Sequence, residues 1–375
     1  MSTIDLVTII GARPQFVKAA TVSRAIKKYN SGAPKGAHGI KETLIHTGQH
    51  YDTSMSQVFF NELGLDEPQL NLGVGSGPHG LQTGRMLEKI EEVLLESEPD
   101  AVLLYGDTNS TLAGALAASK LHVPIVHVEA GLRSFNKKMP EEINRILTDH
   151  VASLLFCPTQ RAVDNLNNES IKEGVHLVGD VMFDSIKFYQ PGLINSFDAL
   201  ESFGLTPGDY ILATAHRPEN TDDSAKLSEI LSSFAEIAKT TTLILVLHPR
   251  TAGKMQAHGL ASPAGVVVAP PLPYLSMLQL MQHAKAVVTD SGGMQKEAYF
   301  FGKPCLTIRE ETEWLETIEV GANTLAGSSC KKILHWYNTL ICGEISCSNF
   351  LPVYGNGSAA EKIVEDIVEF FREAK

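Results

Sequence analysis

Short runs of uniformly apolar residues, each followed by an amphipathic stretch, constrain this chain more than any other feature. They are Leu6–Ile10, Thr43–His46, Ala101–Tyr105, Pro124–Val128 and Leu154–Cys157, then Tyr210–Ala215, Thr242–His248, Gly265–Ala269, Ala286–Thr289 and Pro304–Ile308. Strands that are apolar throughout, instead of alternating, belong in parallel sheets covered by helices on both faces. The rhythm is that of βαβ units, and it occurs twice. A length of 375 residues also exceeds what one hydrophobic core usually holds. The expected fold is therefore α/β, with two Rossmann-like, doubly wound domains facing each other across a cleft.

The two halves meet around Phe188-Tyr-Gln-Pro191-Gly192, where the Pro-Gly pair is expected to break regular structure. This gives an N-terminal domain over residues 1–180, a second domain over 181–355, and a tail over 356–375. The tail carries Ala359, Ile363, Val364, Ile367, Val368, Phe370 and Phe371 at helical spacing. It reads as an amphipathic helix, Ser358–Ala374, packing back on the N-terminal domain.

Charge and targeting signals narrow the partners. With 31 basic and 43 acidic residues, the net charge of −12 repels nucleic acid and anionic membrane surfaces. An anionic small ligand therefore needs a local basic pocket. The N-terminal residues lack the pattern of a signal peptide and no run has the length of a membrane helix, so a cytoplasmic protein is expected. Of five cysteines, Cys157 and Cys305 lie in apolar runs and read as small buried hydrophobes. Cys342 and Cys347 lack the spacing of a zinc site.

Ligands of doubly wound sheets bind beyond the carboxyl ends of the strands, so those ends carry the candidate chemistry. The first strand runs into Gly11-Ala-Arg13-Pro14-Gln-Phe-Val-Lys18, which places two cations near a helix start, a setting that attracts phosphate. A solvated basic pair on an ordinary turn would look the same. Asp107 follows the run Ala101–Tyr105, either as a functional carboxylate or as the cap of the next helix. Glu129 follows Pro124–Val128 and must be paired or functional, because burying a lone charge is expensive. Glu141, in Met139-Pro140-Glu141-Glu142-Ile-Asn-Arg145, suits either a helix's first turn or the same site.

Three carboxylates at one sheet edge imply metal binding or acid–base chemistry. Arg13, Lys18, Arg133 and Arg145 accompany them, with no further acidic or histidine ligands, so acid–base work without a metal is expected.

The second half supplies His216 in Thr214-Ala-His216-Arg217-Pro-Glu-Asn220, and His248 in His248-Pro249-Arg250. It also contains Thr289-Asp290-Ser291-Gly292-Gly293-Met-Gln-Lys-Glu297. Ser291, Gly292 and Gly293 opening a helix would present backbone N–H groups to a phosphate, and Glu297, a turn further on, could accept from ribose hydroxyls. The alternative is a tight turn in which the glycines serve packing alone. Gly75-Ser-Gly77-Pro-His-Gly80 matches GxGxxG, but it contains proline and follows no convincing strand. It reads as a flexible loop, and no nicotinamide or other cofactor is expected.

In order along the chain, GARPQ, HTGQH, GDTNST, HVEAGLR, MPEEINR, HRPEN, DSGGMQKE and the GKP before Cys305 resemble the non-hydrolysing UDP-N-acetylglucosamine 2-epimerases, nearly end to end. The resemblance implies the two-domain GT-B fold, with UDP held mainly by the second domain, and the cleft architecture implies closure of the domains on the nucleotide. It implies anti elimination of UDP across carbons 1 and 2 of the sugar, then re-addition with a proton delivered to the opposite face. Surface polysaccharide synthesis would use the product.

By position, Asp107, Glu129 and Glu141 become acid–base candidates, and His216 assists the leaving diphosphate. Arg13, Lys18, Arg133, Arg145, His248, Leu272, Met277, Ser291, Gly292, Gly293 and Glu297 form the substrate-binding set. Partners are the UDP-sugar and UDP, and the resemblance implies a homodimer.

Several positions depart from the family. Trp314 replaces an arginine of Thr-Glu-Arg-Pro-Glu, Met277 a phenylalanine, and Arg250 the asparagine of His-Pro-Asn-Pro. With Lys137-Lys138 before PEE, they resemble the branch acting on UDP-2,3-diacetamido-2,3-dideoxyglucuronic acid, where an extra cation suits a uronate. Gln49-His50-Tyr51-Asp52 departs from the Gln-His-Arg-Gln of members that bind a second, activating UDP-sugar. A glycosyltransferase of the same fold, a hydrolysing relative and a non-catalytic nucleotide-sugar sensor are the rival readings.

Overall fold

The computed structural model describes residues 3–32, 38–49, 60, 62–345 and 352–373. His50, Tyr51, Asp52 and Cys347, weighed above, lie outside those residues. The chain divides into two compact units, Met1–Lys187 with Pro352–Lys375, and Phe188–Leu351.

The first unit contains β1 (Thr3–Ile10), β2 (Gly39–His46), β3 (Leu70–Asn71), β4 (Ala101–Tyr105), β5 (Ile125–Val128), β6 (Leu154–Cys157) and β7 (Val175–Leu177), in the order β3-β2-β1-β4-β5-β6-β7. The second contains β8 (Tyr210–Ala213), β9 (Thr242–Val246), β10 (Val267–Ala269), β11 (Ala286–Thr289), β12 (Cys305–Thr307) and β13 (Asn323–Leu325), in the order β10-β9-β8-β11-β12-β13. All of these pairings are parallel. Both units are thus doubly wound α/β sheets, the pair of folds expected for GT-B.

Each sheet reverses direction beside its first strand, between β1 and β4 and between β8 and β11. Loops leaving those strands diverge and open a crevice at their carboxyl ends. Below each crevice lies an apolar core. Val7, Ile9, Val102 and Leu104 pack on Met86, Ile90, Ala113 and Ala117 in one unit. Ile211, Leu245 and Val288 pack on Phe234, Ile237 and Trp336 in the other. Each large side chain contributes roughly 1.5–3 kcal/mol, enough for the framework to hold polar groups at the strand ends.

Three readings change. Pro191 and Gly192 do not break the chain but lie inside the helix Val181–Leu193. At the last turn, a missing N–H forfeits only one helical bond. The GxGxxG segment is not a free loop. It follows the short β3 and leads into the helix His79–Ser97. Val74 N and Gly75 N donate to Thr47 O and Gly48 O at 3.0 Å each, pinning it to the loop after β2. The strands β3, β7 and β13 are two or three residues long and left no apolar run to read. Cys157 and Cys305 are buried, and burial pushes the Cys157 thiol up, as suits an inert core residue. No helix among the described residues is long and apolar enough to cross a membrane.

The last helix, Ala359–Glu373, belongs to the first unit. Lys28 Nζ pairs with Glu361 at 2.5 Å, and Ala360 N donates to Asp184 Oδ2 at 2.7 Å. Burial pushes the Asp184 carboxyl up to about 6, although the N–H groups of Ala360 and Ala359 pull it down. A carboxyl raised in the folded state binds its proton more tightly than in the unfolded chain, so its stabilisation is full in acid. It is lost as pH rises from about 4 through about 6. Asp184→Asn keeps an oxygen acceptor for Ala360 and removes that dependence. The variant should gain on the order of 2 kcal/mol over the parent at pH 7.5 and nothing near pH 4. Urea unfolding at both pH values checks this, and an equal difference at both would refute it.

Candidate active site

The crevice of the first unit is built on Gly11, directly after β1. A β-carbon there would overlap Ser110 Oγ and Thr47 Oγ1, which themselves hydrogen-bond at 2.8 Å. Gln15 ties this turn to the one after β4. Its Oε1 accepts from Gly11 N and Ala12 N at 2.8 and 3.1 Å, and its Nε2 donates to Tyr105 O at 2.9 Å. The helix Arg13–Gly32 starts here, with Arg13 half-buried at its first position.

One turn along that helix, Lys18 is buried and its Nζ pairs with Glu129 Oε2. Glu129 leaves β5 with φ at +73°, a left-handed conformation that costs a non-glycine residue about 1–3 kcal/mol. Gly106, at φ +61°, closes the floor. A β-carbon on it would lie 3.2 Å from Glu129 Oε2 and 3.3 Å from Lys18 Nζ. The next residue, Asp107, accepts from Arg145 Nη2 and, at 3.2 Å, from Arg145 Nε. Asp107 is not the cap of the following helix, Asn109–Lys120. Thr108 fills that role with Thr111 in a reciprocal box.

Glu141, in the first turn of the helix Pro140–Val151, is half-buried and makes no ion pair with a described residue. It shares a face with Asn144 and Arg145, three and four positions on. Asn144 Nδ2 donates to Asp107 O at 2.9 Å, so that face is turned to Asp107.

Behind these groups lies a buried clamp. Asp149 accepts from His127 Nδ1 at 2.7 Å, Arg133 Nη1 at 2.7 Å and Gly131 N at 3.1 Å. Burial alone would raise its carboxyl, but His127 and Arg133 outweigh that and hold it low. His127 Nε2 meets Gly106 O at 2.8 Å, so the clamp also braces the floor. Arg133, named in the substrate-binding set, has a side chain 1% exposed that forks onto Glu169 at 2.7 Å through both Nε and Nη2. With Nη1 on Leu132 O and Asp149 Oδ2 as well, four of its five N–H groups are engaged inside the protein. Arg145 is likewise buried and joins Asp107 to Glu142, which holds Ser134 N and Phe135 N at 2.8 Å each.

Asp149 and Glu142 were not among the expected site residues. The available signal was His127, a histidine inside an apolar strand that needed acceptors for its ring.

In the second unit, His216 follows β8 and Asp290 follows β11, on either side of the reversal. Asp290 is fully buried and accepts from His216 N at 2.8 Å, Arg217 N at 2.9 Å and Asn220 Nδ2 at 3.0 Å. Its other oxygen lies 3.2 Å from His216 Nδ1. The His248 ring stacks 5.6 Å from His216, and its Nδ1 accepts from Arg250 N at 3.2 Å. Arg250 itself grips Asp222 at 2.7 and 2.9 Å.

Ser291 caps the helix Gly292–Phe300, which carries Gly293 and the buried Glu297. A β-carbon on Gly292 would overlap Glu313 Oε1, so the glycine admits that carboxylate against the helix's first turn. Glu313 in turn pairs with Arg309 at 3.1 Å. Trp314, where the family resemblance expects arginine, is buried, and Lys296 Nζ lies 4.0 Å over its ring. Leu272 and Met277, before and within the helix Tyr274–His283, are both half-buried. Among the described residues no group of three or more His, Cys, Asp or Glu is placed to hold a metal ion.

Residues 33–368 match the family model of UDP-N-acetylglucosamine 2-epimerases. A Pseudomonas aeruginosa UDP-2,3-diacetamido-2,3-dideoxy-D-glucuronate 2-epimerase is 49% identical over 96% of this chain and 99% of its own length. The UDP-N-acetylglucosamine 2-epimerase of Methanocaldococcus jannaschii is 40% identical over 96% of this chain and 98% of its own. Its crystal structure with UDP-GlcNAc and UDP superposes with a TM-score of 0.87, covering 98% of this chain and 100% of that one. Family model, relatives and fold agree, and the chain belongs to the UDP-N-acetylglucosamine 2-epimerase family, a family of isomerases.

Proposed function

We propose that this chain interconverts the carbon-2 epimers of a UDP-2-acetamido sugar by eliminating and re-adding UDP. The observation that carries the reading is Glu129, a strained carboxylate held on Lys18 beside Asp107 at the reversal of the first sheet. A base takes the carbon-2 proton and the carbon-1 bond to the diphosphate oxygen breaks, leaving a 2-acetamidoglucal and UDP. The diphosphate oxygen then rebuilds the carbon-1 bond while an acid protonates carbon 2 from the other face. Asp107, Glu129 and Glu141 supply the two proton-transfer groups, since positioned carboxylates are what abstraction from a weakly acidic carbon needs. His216, oriented by Asp290, assists the departing diphosphate. Ser291, Gly292, Gly293 and Glu297 hold phosphate and ribose. The enzyme acts as a homodimer in the cytoplasm, where nucleotide sugars are made.

Incubation with UDP-N-acetylglucosamine in D₂O should place deuterium at carbon 2 with no acceptor present. Transfer to an acceptor only, or free sugar as the main product, would refute the reading. A second sugar, the 2,3-diacetamido-uronate, is favoured by the 49% identical relative and by Lys137 and Lys138. Both lysines are exposed, and neither forms an ion pair with a described residue. Turnover of the two substrates side by side decides between them, and a preference of tenfold or more, on the order of 1.4 kcal/mol, would be decisive.

A further inference from the structure

His79 belongs to no part of the reaction above, yet a buried amide chain joins it to the candidate site. It is the exposed first residue of the helix His79–Ser97, at the end of the pinned glycine segment. The chain begins at a backbone carbonyl, Asp107 O, which accepts from Asn144 Nδ2 at 2.9 Å. Asn144 Nδ2 also donates to Asn109 Oδ1 at 3.2 Å. Asn109 Nδ2 donates to Gln82 Oε1 at 2.8 Å, and Gln82 Nε2 ends the chain on a second carbonyl, Gly75 O, at 2.8 Å.

Carbonyls only accept, so both ends set the same direction, and no amide in between can flip without setting oxygen against oxygen. Asn109 Nδ2 therefore also faces His79 Nδ1, at 3.1 Å, while Asn109 Oδ1 lies farther away at 3.5 Å. In the neutral ring, Nδ1 is then the acceptor and the proton sits on Nε2. Asn109, Gln82 and Asn144 are all buried, and a buried network of this kind holds its members in one geometry.

We infer that His79 is a substrate-contact residue, a preset neutral donor whose Nε2–H binds an acceptor oxygen of the sugar. The inference rests on the reading that Asp107 and its neighbours face the sugar. The network that places Asp107 also fixes the histidine, so both groups are held in one frame. Its contribution falls on the sugar and not on the nucleotide, which the second unit holds.

Two measurements test this. In ¹⁵N spectra of histidine-labelled protein above pH 7.5, His79 should show the Nε2–H tautomer, and the Nδ1–H form would overturn the assignment whatever the enzyme's activity. In D₂O, His79→Leu should lower kcat/KM for carbon-2 exchange about tenfold, as for one lost hydrogen bond to a ligand. UDP affinity should stay unchanged, while Tm falls by a few degrees because Asn109 Nδ2 loses its acceptor. His79→Gln, which keeps a donor near the Nε2 position, should recover most of that loss. His79→Leu within twofold of the parent on both UDP-N-acetylglucosamine and the diacetamido-uronate would overturn the inference, as would equal losses in Leu and Gln variants. A parent protein that exchanges no deuterium on either sugar would instead refute the epimerase reading.

Discussion

Glu129→Gln should abolish deuterium exchange at carbon 2, by about 10³-fold or more, while UDP still binds. General acid–base groups contribute about 10²–10⁴-fold, and this carboxylate is held by a strained backbone, a buried ammonium and a glycine floor. The same change strands Lys18. Its ammonium is buried, and removing one partner of a buried pair costs roughly 3–5 kcal/mol. Lost activity in the single variant could therefore reflect unfolding. The double variant Lys18→Met, Glu129→Gln separates the two effects. Replacing both charges with neutral groups should restore most of the lost Tm and none of the exchange. Exchange at the parental rate in either variant would remove Glu129 from the reaction.

The framework was legible because it depends on local pattern. Ala101–Tyr105, Leu154–Cys157 and Ala286–Thr289 have the same bounds as apolar runs and as strands, since an apolar run between polar turns has few other places to go. The site was legible only as residue types at strand ends. Arg133 and Lys18 look alike in sequence, as cations near an expected anion. One is locked between Asp149 and Glu169 and the other lies against a strained glutamate. What separates them is pairing across many residues, with Arg133 to Glu169 spanning 36 positions and Lys18 to Glu129 spanning 111. Local spacing does not encode that. His79 was hidden for a related reason. The strand before its segment is only two residues long, and the segment is held by bonds to the loop after β2.

Asp290 tests whether the second unit positions chemistry or only binds nucleotide. Its carboxylate accepts from two backbone N–H groups and the Asn220 amide, and lies 3.2 Å from His216 Nδ1, without any exposure to water. An asparagine at this position has one acceptor oxygen for donors now shared between two, and its own NH₂ must face one of them. At least one buried donor is left unmet, at about 1–3 kcal/mol, and the imidazole loses the partner that fixes its orientation and tautomer. Asp290→Asn should therefore lower Tm by several degrees and kcat by about 10²-fold, the lower end of a general acid–base contribution. His216→Ala should lower kcat by a similar factor. If Asp290 acts through His216, the double variant should have the kcat of His216→Ala alone, because residues working as a unit are not additive. Steady-state kcat and thermal melts of all four proteins complete the cycle. A kcat loss that adds in full, or an Asp290→Asn protein that melts early but turns over normally, would reduce Asp290 to a loop support with no part in setting the histidine.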